Sequence, residues 1–310
     1  MKTKAFILVI ITGILWGTSG MFVNYLATFG FSSFQITALR GVVSCLFLWA
    51  YALIRDRSLL RVRARELLLF AGIGASLFGT SGFYFWSLQA SSISTAVVLM
   101  YTAPIYVMLV SVLFLGERFS ALKGISLGCM LVGCALVSGI VGGLKFNGIG
   151  ILMGFLSGIS FASYNILTKM AMQKGCRPMS VSLYSFLFMS LIALAVSKPQ
   201  QILPLLQVAP WKLLAFVVVF GAVTFVIPYT LYTVAMRTLP AGTASSLGIV
   251  EPMAATLIGV LVFDETLTWL AAVGIVLILV AVFLLGLAEN RERTNTETYK
   301  HKMKGNNEYD

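Results

Sequence analysis

The sequence predicts an all-α polytopic membrane protein with ten transmembrane helices arranged as two inverted five-helix repeats. Three observations carry this prediction. Of 310 residues, 59% are hydrophobic and 11% are charged, and the mean hydropathy is +0.94; soluble domains carry roughly a quarter charged residues. Apolar stretches of about 20 residues, enough to cross a ~30 Å hydrocarbon core, recur along almost the whole chain. One stretch of the first half also aligns without gaps on a stretch of the second.

The apolar stretches lie at 5–28, 34–54, 67–88, 93–115, 121–140, 148–172, 179–197, 211–236, 241–263 and 268–288. They are uniformly apolar rather than alternating at period two, which indicates helices and not barrel strands. The first follows Lys2 and Lys4 as a signal peptide would. Its apolar part is too long for such a segment and has no small-residue cleavage site, so it reads as a spanning helix. The connections are short. The longest, "SKPQQILPLLQVAPW" (197–211), holds three prolines and reads as an extended loop. The domain reading is therefore a first repeat over 1–140, a second over 148–288, and a polar tail, 289–310, expected to be disordered in the cytoplasm. Cys45, Cys129, Cys134 and Cys176 lie in or beside apolar segments without ligand spacing and read as packing residues.

Orientation follows from the 22 lysines and arginines. With a cytoplasmic N-terminus, only Lys145, Lys198 and Lys212 fall outside, and Arg40 lies within a span. All the others, including the Arg55, Arg57, Arg61, Arg63 and Arg65 cluster, fall on the cytoplasmic side. This asymmetry predicts two cytoplasmic termini and an even number of spans. It accounts for the net charge of +11 without a nucleic-acid partner.

The repeat gives the topology its symmetry. "YFWSLQASSISTAVVLMYTAPIYVMLVSVLFLGE" (84–117) lies over "YTVAMRTLPAGTASSLGIVEPMAATLIGVLVFDE" (232–265). Tyr84 meets Tyr232, Thr95 meets Thr243, Ala96 meets Ala244, Leu99 meets Leu247, Pro104 meets Pro252, and Glu117 meets Glu265. "GILWGTS" (13–19) likewise lies over "GISFASY" (158–164). Five helices per half is an odd number, so the second copy enters the membrane from the opposite side. In such proteins the substrate sits near the midplane, where interrupted helices of the two halves face each other. Pro104 and Pro252 are the matched interruptions. Each removes an N–H and frees a carbonyl about four residues back, near Met100 and Gly248, which is tolerated at depth only against protein or a wet cavity.

Two five-helix halves, each with a proline-containing helix ending in "LGE" (115–117) or "FDE" (263–265), resemble the drug/metabolite transporter superfamily. More narrowly, the chain resembles its ten-helix EamA-type members. The resemblance covers about Phe6 to Leu287. It implies a multi-pass carrier of the plasma membrane with a central cavity lined by helices 1, 3, 4, 6, 8 and 9. It also implies small substrates such as amino acids, other metabolites or drugs, usually exported. Small multidrug-resistance relatives use a carboxylate in their first helix. This chain has none between Lys4 and Arg55, so their proton exchange does not carry over directly.

The candidate site residues follow from depth and chemistry. Glu251 sits about ten residues into its helix, roughly 15 Å deep. An ionisable group there is costly unless paired or wet, and it can bind a proton or an amine. A neutral, hydrogen-bonded glutamate is the competing role. Its repeat partner is Ala103, so the fold itself does not require a carboxylate there. Arg40 can hold a carboxylate bidentately or serve as a structural pairing group. Trp16, Tyr84, Trp86, Tyr101, Tyr164, Tyr229 and Tyr232 are candidate cavity aromatics, with Asn24 and Asn165 as polar contributors. Lys169 is expected to snorkel at a helix end. Glu117 and Glu265 are expected to serve in helix-terminal hydrogen bonding, with gating as the alternative. Gly13 and Gly17, and Gly150, Gly154 and Gly158, form small-residue faces for close helix approach.

The functional expectation is a secondary transporter that moves a small amphipathic, amino-acid-like or drug-like metabolite by alternating access, as an exporter. Its partners are the lipid bilayer, the substrate and, as coupling ions, protons. A channel or a non-transporting receptor is the alternative reading. An intramembrane enzyme fits less well, because the one histidine, His301, lies in the tail and no HExxH, GxSxG or paired-Asp pattern occurs. No GxxxxGK[ST] sequence is present. The expectation is no cofactor and no metal.

Overall fold

A computed structural model describes residues 2–139 and 147–306; Lys145 and tail residues 307–310 lie outside this range. Ten apolar helices follow one another: α1 (Thr3–Thr28), α2 (Ser33–Arg55), α3 (Ala64–Ala90), α4 (Ile93–Phe114), α5 (Ala121–Val137), α6 (Gly148–Gln173), α7 (Pro178–Val196), α8 (Pro210–Ala235), α9 (Ala241–Phe263) and α10 (Trp269–Asn306). Nine contain a stretch long and apolar enough to cross a membrane; α5 is shorter. No strand occurs among the described residues. Local chemistry sets several starts. Ser32 and Gln35 form a reciprocal capping box before α2, and Asn147 Oδ1 accepts from Ile149 N and Gly150 N before α6.

The polar tail differs from its expectation, because the α10 backbone stays helical to Asn306. A helix already nucleated in the apolar segment extends at little cost, and the Glu, Arg and Lys residues beyond Ala288 are good helix formers.

The packing repeats by halves. α1 lies against α8 and α9 as α6 lies against α3 and α4, and α2 lies on α8 as α7 lies on α3. The pairs α2–α7, α4–α9 and α5–α10 join each element to its own counterpart. This is the contact pattern of a two-fold-related inverted repeat. The glycine faces make it possible. A Cβ on Gly17 would stand 2.8 Å from Ala254 Cβ on α9, and one on Gly158 would stand 2.8 Å from Leu99 O on α4. Phe6, near the start of α1, lies beside Gly286 of α10, so both ends of the apolar bundle lie on one face.

Four helices are irregular, and three of them are broken. α1 breaks at Thr18, α4 at Tyr101 and Thr102, and α9 at Gly248 and Ile249. α8 contains one π turn, Ala222–Val226. The α4 and α9 breaks end two and three residues before Pro104 and Pro252, within the turn that each missing N–H disrupts. Tighter turns bridge each gap, with Thr102 N bonded to Leu99 O and Glu251 N bonded to Gly248 O. The "LGE" and "FDE" ends share one turn. Gly116 and Asp264 are both left-handed, and Glu117 N and Glu265 N reach back to Ser111 O and Gly259 O.

Candidate functional site

The two proline breaks place Tyr101 and Glu251 against each other. Tyr101, on the α4 break, donates its hydroxyl to Glu251 Oε2 at 2.6 Å, and Glu251 stands two residues past the α9 break. Pro104 and Pro252 are buried beside them. Tyr84, Tyr229 and Arg40 lie within electrostatic reach of Glu251, so groups from α2, α3, α4, α8 and α9 surround one region.

Arg40 occupies another wall of this region. Its Nη2 donates to Ser81 Oγ on α3 at 2.9 Å, and its guanidinium carbon lies 4.7 Å from the centre of the Phe225 ring, within cation–π range. Its Nε is buried without a hydrogen-bond partner. The guanidinium therefore retains unused donor capacity toward an anionic group.

An aromatic cluster joins α1, α6 and α8. Trp16 packs on Tyr229 at 5.0 Å and on Tyr232 at 5.3 Å between ring centres. Tyr164 stacks on Phe161 and Tyr232 and meets Tyr229 edge-on. Tyr232 donates its hydroxyl to Asn165 Oδ1, and Asn165 Nδ2 donates to Phe161 O at 2.7 Å. Asn165 is thereby committed to orienting Tyr232. Trp16 Nε1 and the Tyr164 hydroxyl are buried without partners. A cavity of about 10 Å³ separates Tyr164 and Tyr229 from Ser182 and Ser185, space for about one water.

The structure thus brings most of the candidate residues together. Arg40, Tyr84, Tyr229 and Glu251 keep some accessible surface, whereas Trp16, Tyr101, Tyr164, Asn165 and Tyr232 are buried. Trp86 does not join them and is 54% exposed. It lies two positions after Tyr84, a rotation of about 200° around the helix. Asn24 is exposed on α1 beyond the break. Lys169 does not snorkel. It is buried and donates to Met236 O at 3.0 Å and Leu239 O at 2.5 Å, closing the carbonyl end of α8. Glu117 takes a capping role, its two oxygens accepting from Ala241 N at 2.5 Å and Gly242 N at 3.2 Å at the start of α9. Glu265 is exposed. Ser81, Phe161 and Phe225 belong to the site with no sequence signal to mark them. Only the helix partners reveal them.

Chemically, the region presents a carboxylate for a proton or ammonium, a guanidinium for an anion, and aromatic faces between them. Similarity to known proteins bears on what this serves. The sequence model of the EamA-like transporter family matches twice, at residues 3–139 and 148–287. The chain is 29% identical over 276 residues to a protein of Archaeoglobus fulgidus named an uncharacterized transporter, covering 89% of this chain and 94% of that one. It is 26% identical over 174 residues to the Bacillus subtilis uncharacterized transporter YwfM, about half of each chain. Among solved structures, one crystal structure superposes with a TM-score of 0.77 at 22% identity, covering 94% of this chain and 99% of its own. That likeness concerns the fold.

Proposed function

Because the chain belongs to the EamA-like transporter family, we propose that it is a secondary carrier that exports a small amphipathic, amino-acid-like metabolite across the plasma membrane by alternating access. Both termini are cytoplasmic in this reading, in keeping with the Lys and Arg asymmetry. The observation that carries it is the Tyr101–Glu251 hydrogen bond between two helices broken at matched prolines. Each half contributes one of the two helices broken at the matched prolines, so a ligand held at the junction touches both halves, and their relative movement changes which side it faces. Glu251 receives a proton or the substrate amine, Arg40 faces its anionic group, and Trp16, Tyr84 and Tyr229 offer ring faces to its apolar part.

Counterflow into liposomes tests this reading. Purified protein is screened against labelled amino acids, amines and nucleobases. A carrier saturates and accelerates with substrate on the far side; flux without either property indicates a channel, and no flux for any compound removes the transport reading. Glu251→Gln keeps the acceptor for Tyr101 and removes the charge. A lost hydrogen bond to a charged group costs about 1.5–3 kcal/mol, so transport efficiency should fall roughly 10- to 150-fold. The dependence of rate on pH between about 5.5 and about 8.5 should also flatten. Superimposable profiles and rates would leave Glu251 a structural residue.

A further inference from the structure

On the face that bears the termini, a chain of buried polar contacts ties the two halves together. Glu117, at the end of α4, caps the start of α9 through Ala241 N and Gly242 N. One residue further, Thr243 Oγ1 donates to Glu289 Oε1 of α10 at 2.6 Å. Glu289 is paired with Lys123 of α5 at 3.0 Å, and the two side chains are only 5% and 4% exposed. Lys123 also donates to Arg118 O at 3.3 Å.

The inverted repeat supplies an internal control on the opposite face. Continuing the alignment of the halves, Lys123 falls over Ala271 and Glu289 over Val141. Alanine and valine cannot form an ion pair. The counterpart of Thr243 is Thr95, whose hydroxyl bonds Ser92 in its own N-terminal turn. The counterpart of Glu117 is the exposed Glu265, and Ser92 caps α4 in its place. The fold is therefore nearly symmetric, whereas among the described residues these ties are built on one face only.

We propose that Lys123, Glu289, Thr243 and Glu117 form a latch that holds the terminus-bearing face shut and biases the protein toward the conformation open to the other face. The proposal rests on the alternating-access reading. In a symmetric pair of halves the two end states use near-equivalent contacts, so an interaction present in only one of them sets their ratio. Opening the latched face parts the ends of α4 and α5 from those of α9 and α10. Such an opening separates the ion pair and strips the Glu117 cap from α9. The four side chains are positioning residues that act on the site through the helices carrying Tyr101 and Glu251.

The test uses full-length protein in oriented proteoliposomes, with Cys45, Cys129, Cys134 and Cys176 replaced and one cysteine at Ser245. Ser245 is buried in α9 between the latch and the site. A membrane-impermeant maleimide is applied to the terminus-bearing face. Lys123→Met combined with Glu289→Gln removes both charges together, which avoids leaving one buried and unpaired. We expect labelling at least about tenfold faster than in the parent, the change that a 1.4 kcal/mol shift in the ratio of states produces. The charge exchange Lys123→Glu with Glu289→Lys should return it toward the slow rate. Unchanged labelling in the neutral pair, in protein that elutes as a single folded species, overturns the latch, and so does an exchanged pair as fast as the neutral one. If the neutral pair fails to fold, Thr243→Val and Glu117→Ala each remove one tie with the ion pair intact, and are read by the same rates. Wild-type counterflow measured in parallel separates the two ideas. Intact counterflow with unchanged labelling rejects the latch alone, and absent counterflow rejects the carrier reading while the labelling comparison still decides the bias.

Discussion

Replacing Gly17 with alanine tests the closest approach between the halves, and its cost follows from the geometry. The added Cβ would stand 2.8 Å from Ala254 Cβ, 2.9 Å from Ala255 N and 3.0 Å from Glu251 O. Carbon contacts are optimal at about 3.5–4.0 Å, so α1 must retreat from α9 by roughly 0.5–1 Å or carry the overlap. Overpacking of one methyl costs about 1–3 kcal/mol. Gly128, mid-helix in α5 with nothing within 4 Å of its would-be Cβ, provides the reference. Alanine there gains about 0.5–1 kcal/mol of helix propensity without a clash. Gly17, the last helical residue before the α1 break, gains no more than this, so the difference between the two sites is at least the overpacking. Gly13→Ala should fall between them, since its nearest atom, Val250 Cβ, is 3.1 Å away. Thermal unfolding in detergent, followed by intrinsic tryptophan fluorescence, should place the Gly17 variant roughly 2–8 °C below the Gly128 variant. Its transport should fall as well, because the clash falls on the backbone of Glu251. Equal midpoints for Gly17→Ala and Gly128→Ala would refute the reasoning.

Glu117→Ala should destabilise by about 1–2 kcal/mol, the value of a lost helix cap, whereas Glu265→Ala should stay within about 0.5 kcal/mol; midpoints in the same melt compare them. At the terminus-bearing face, Asp56 is held by Arg177 and Ser58, and the Arg177 hydrogen bond above all pulls its carboxyl down to about 2. A carboxyl lowered in the folded state contributes stability above its ordinary value near 4 and loses it as pH falls toward 2. Protease nicking of the α2–α3 loop should therefore be flat from about pH 8 to pH 5 and rise only in stronger acid. Arg177→Gln should return the folded carboxyl toward its ordinary value, so nicking should be faster between about pH 8 and about pH 5 and its further rise in acid should shrink; an identical profile in the variant would remove the pair from the account.

The legible parts of the fold were those governed by long-range sums. Ten helices, their ends within a few residues apart from the end of α10, and the two-half organisation follow from hydropathy and from Tyr84, Pro104 and Glu117 recurring as Tyr232, Pro252 and Glu265. The positions of the α4 and α9 breaks follow from the chemistry of proline. Pairwise contacts were not legible. Nothing local marks Ser81 as the partner of Arg40, or Phe225 as the ring beneath it, because those depend on how α2, α3 and α8 rotate about their own axes. Lys169 was misjudged for the same reason. A lysine at a helix end snorkels only when the chain beside it offers no carbonyls, and the Met236–Leu239 turn offers two. The polar tail misled through composition, which reports the absence of a core and says little about whether an established helix continues.

The π turn at Ala222–Val226 carries a record of how the halves diverged. Before it, Gly221 packs on Val43 of α2 as Gly74 packs on Phe188 of α7, and Ala222 follows Gly221 as Ala75 follows Gly74. After it, Tyr232 answers Tyr84. Between the glycine and the tyrosine the second half holds one residue more than the first. A helix accommodates a single inserted residue by widening one turn, so both anchor points keep their places and the surplus bulges between them. The first half, with no surplus, runs as unbroken α-helix through the equivalent stretch of α3. Phe225, four residues after Gly221 as Phe78 is four after Gly74, lies inside the widened turn; the ring beneath the Arg40 guanidinium therefore has a counterpart in the first half, but stands on a widened turn that the unbroken α3 does not share.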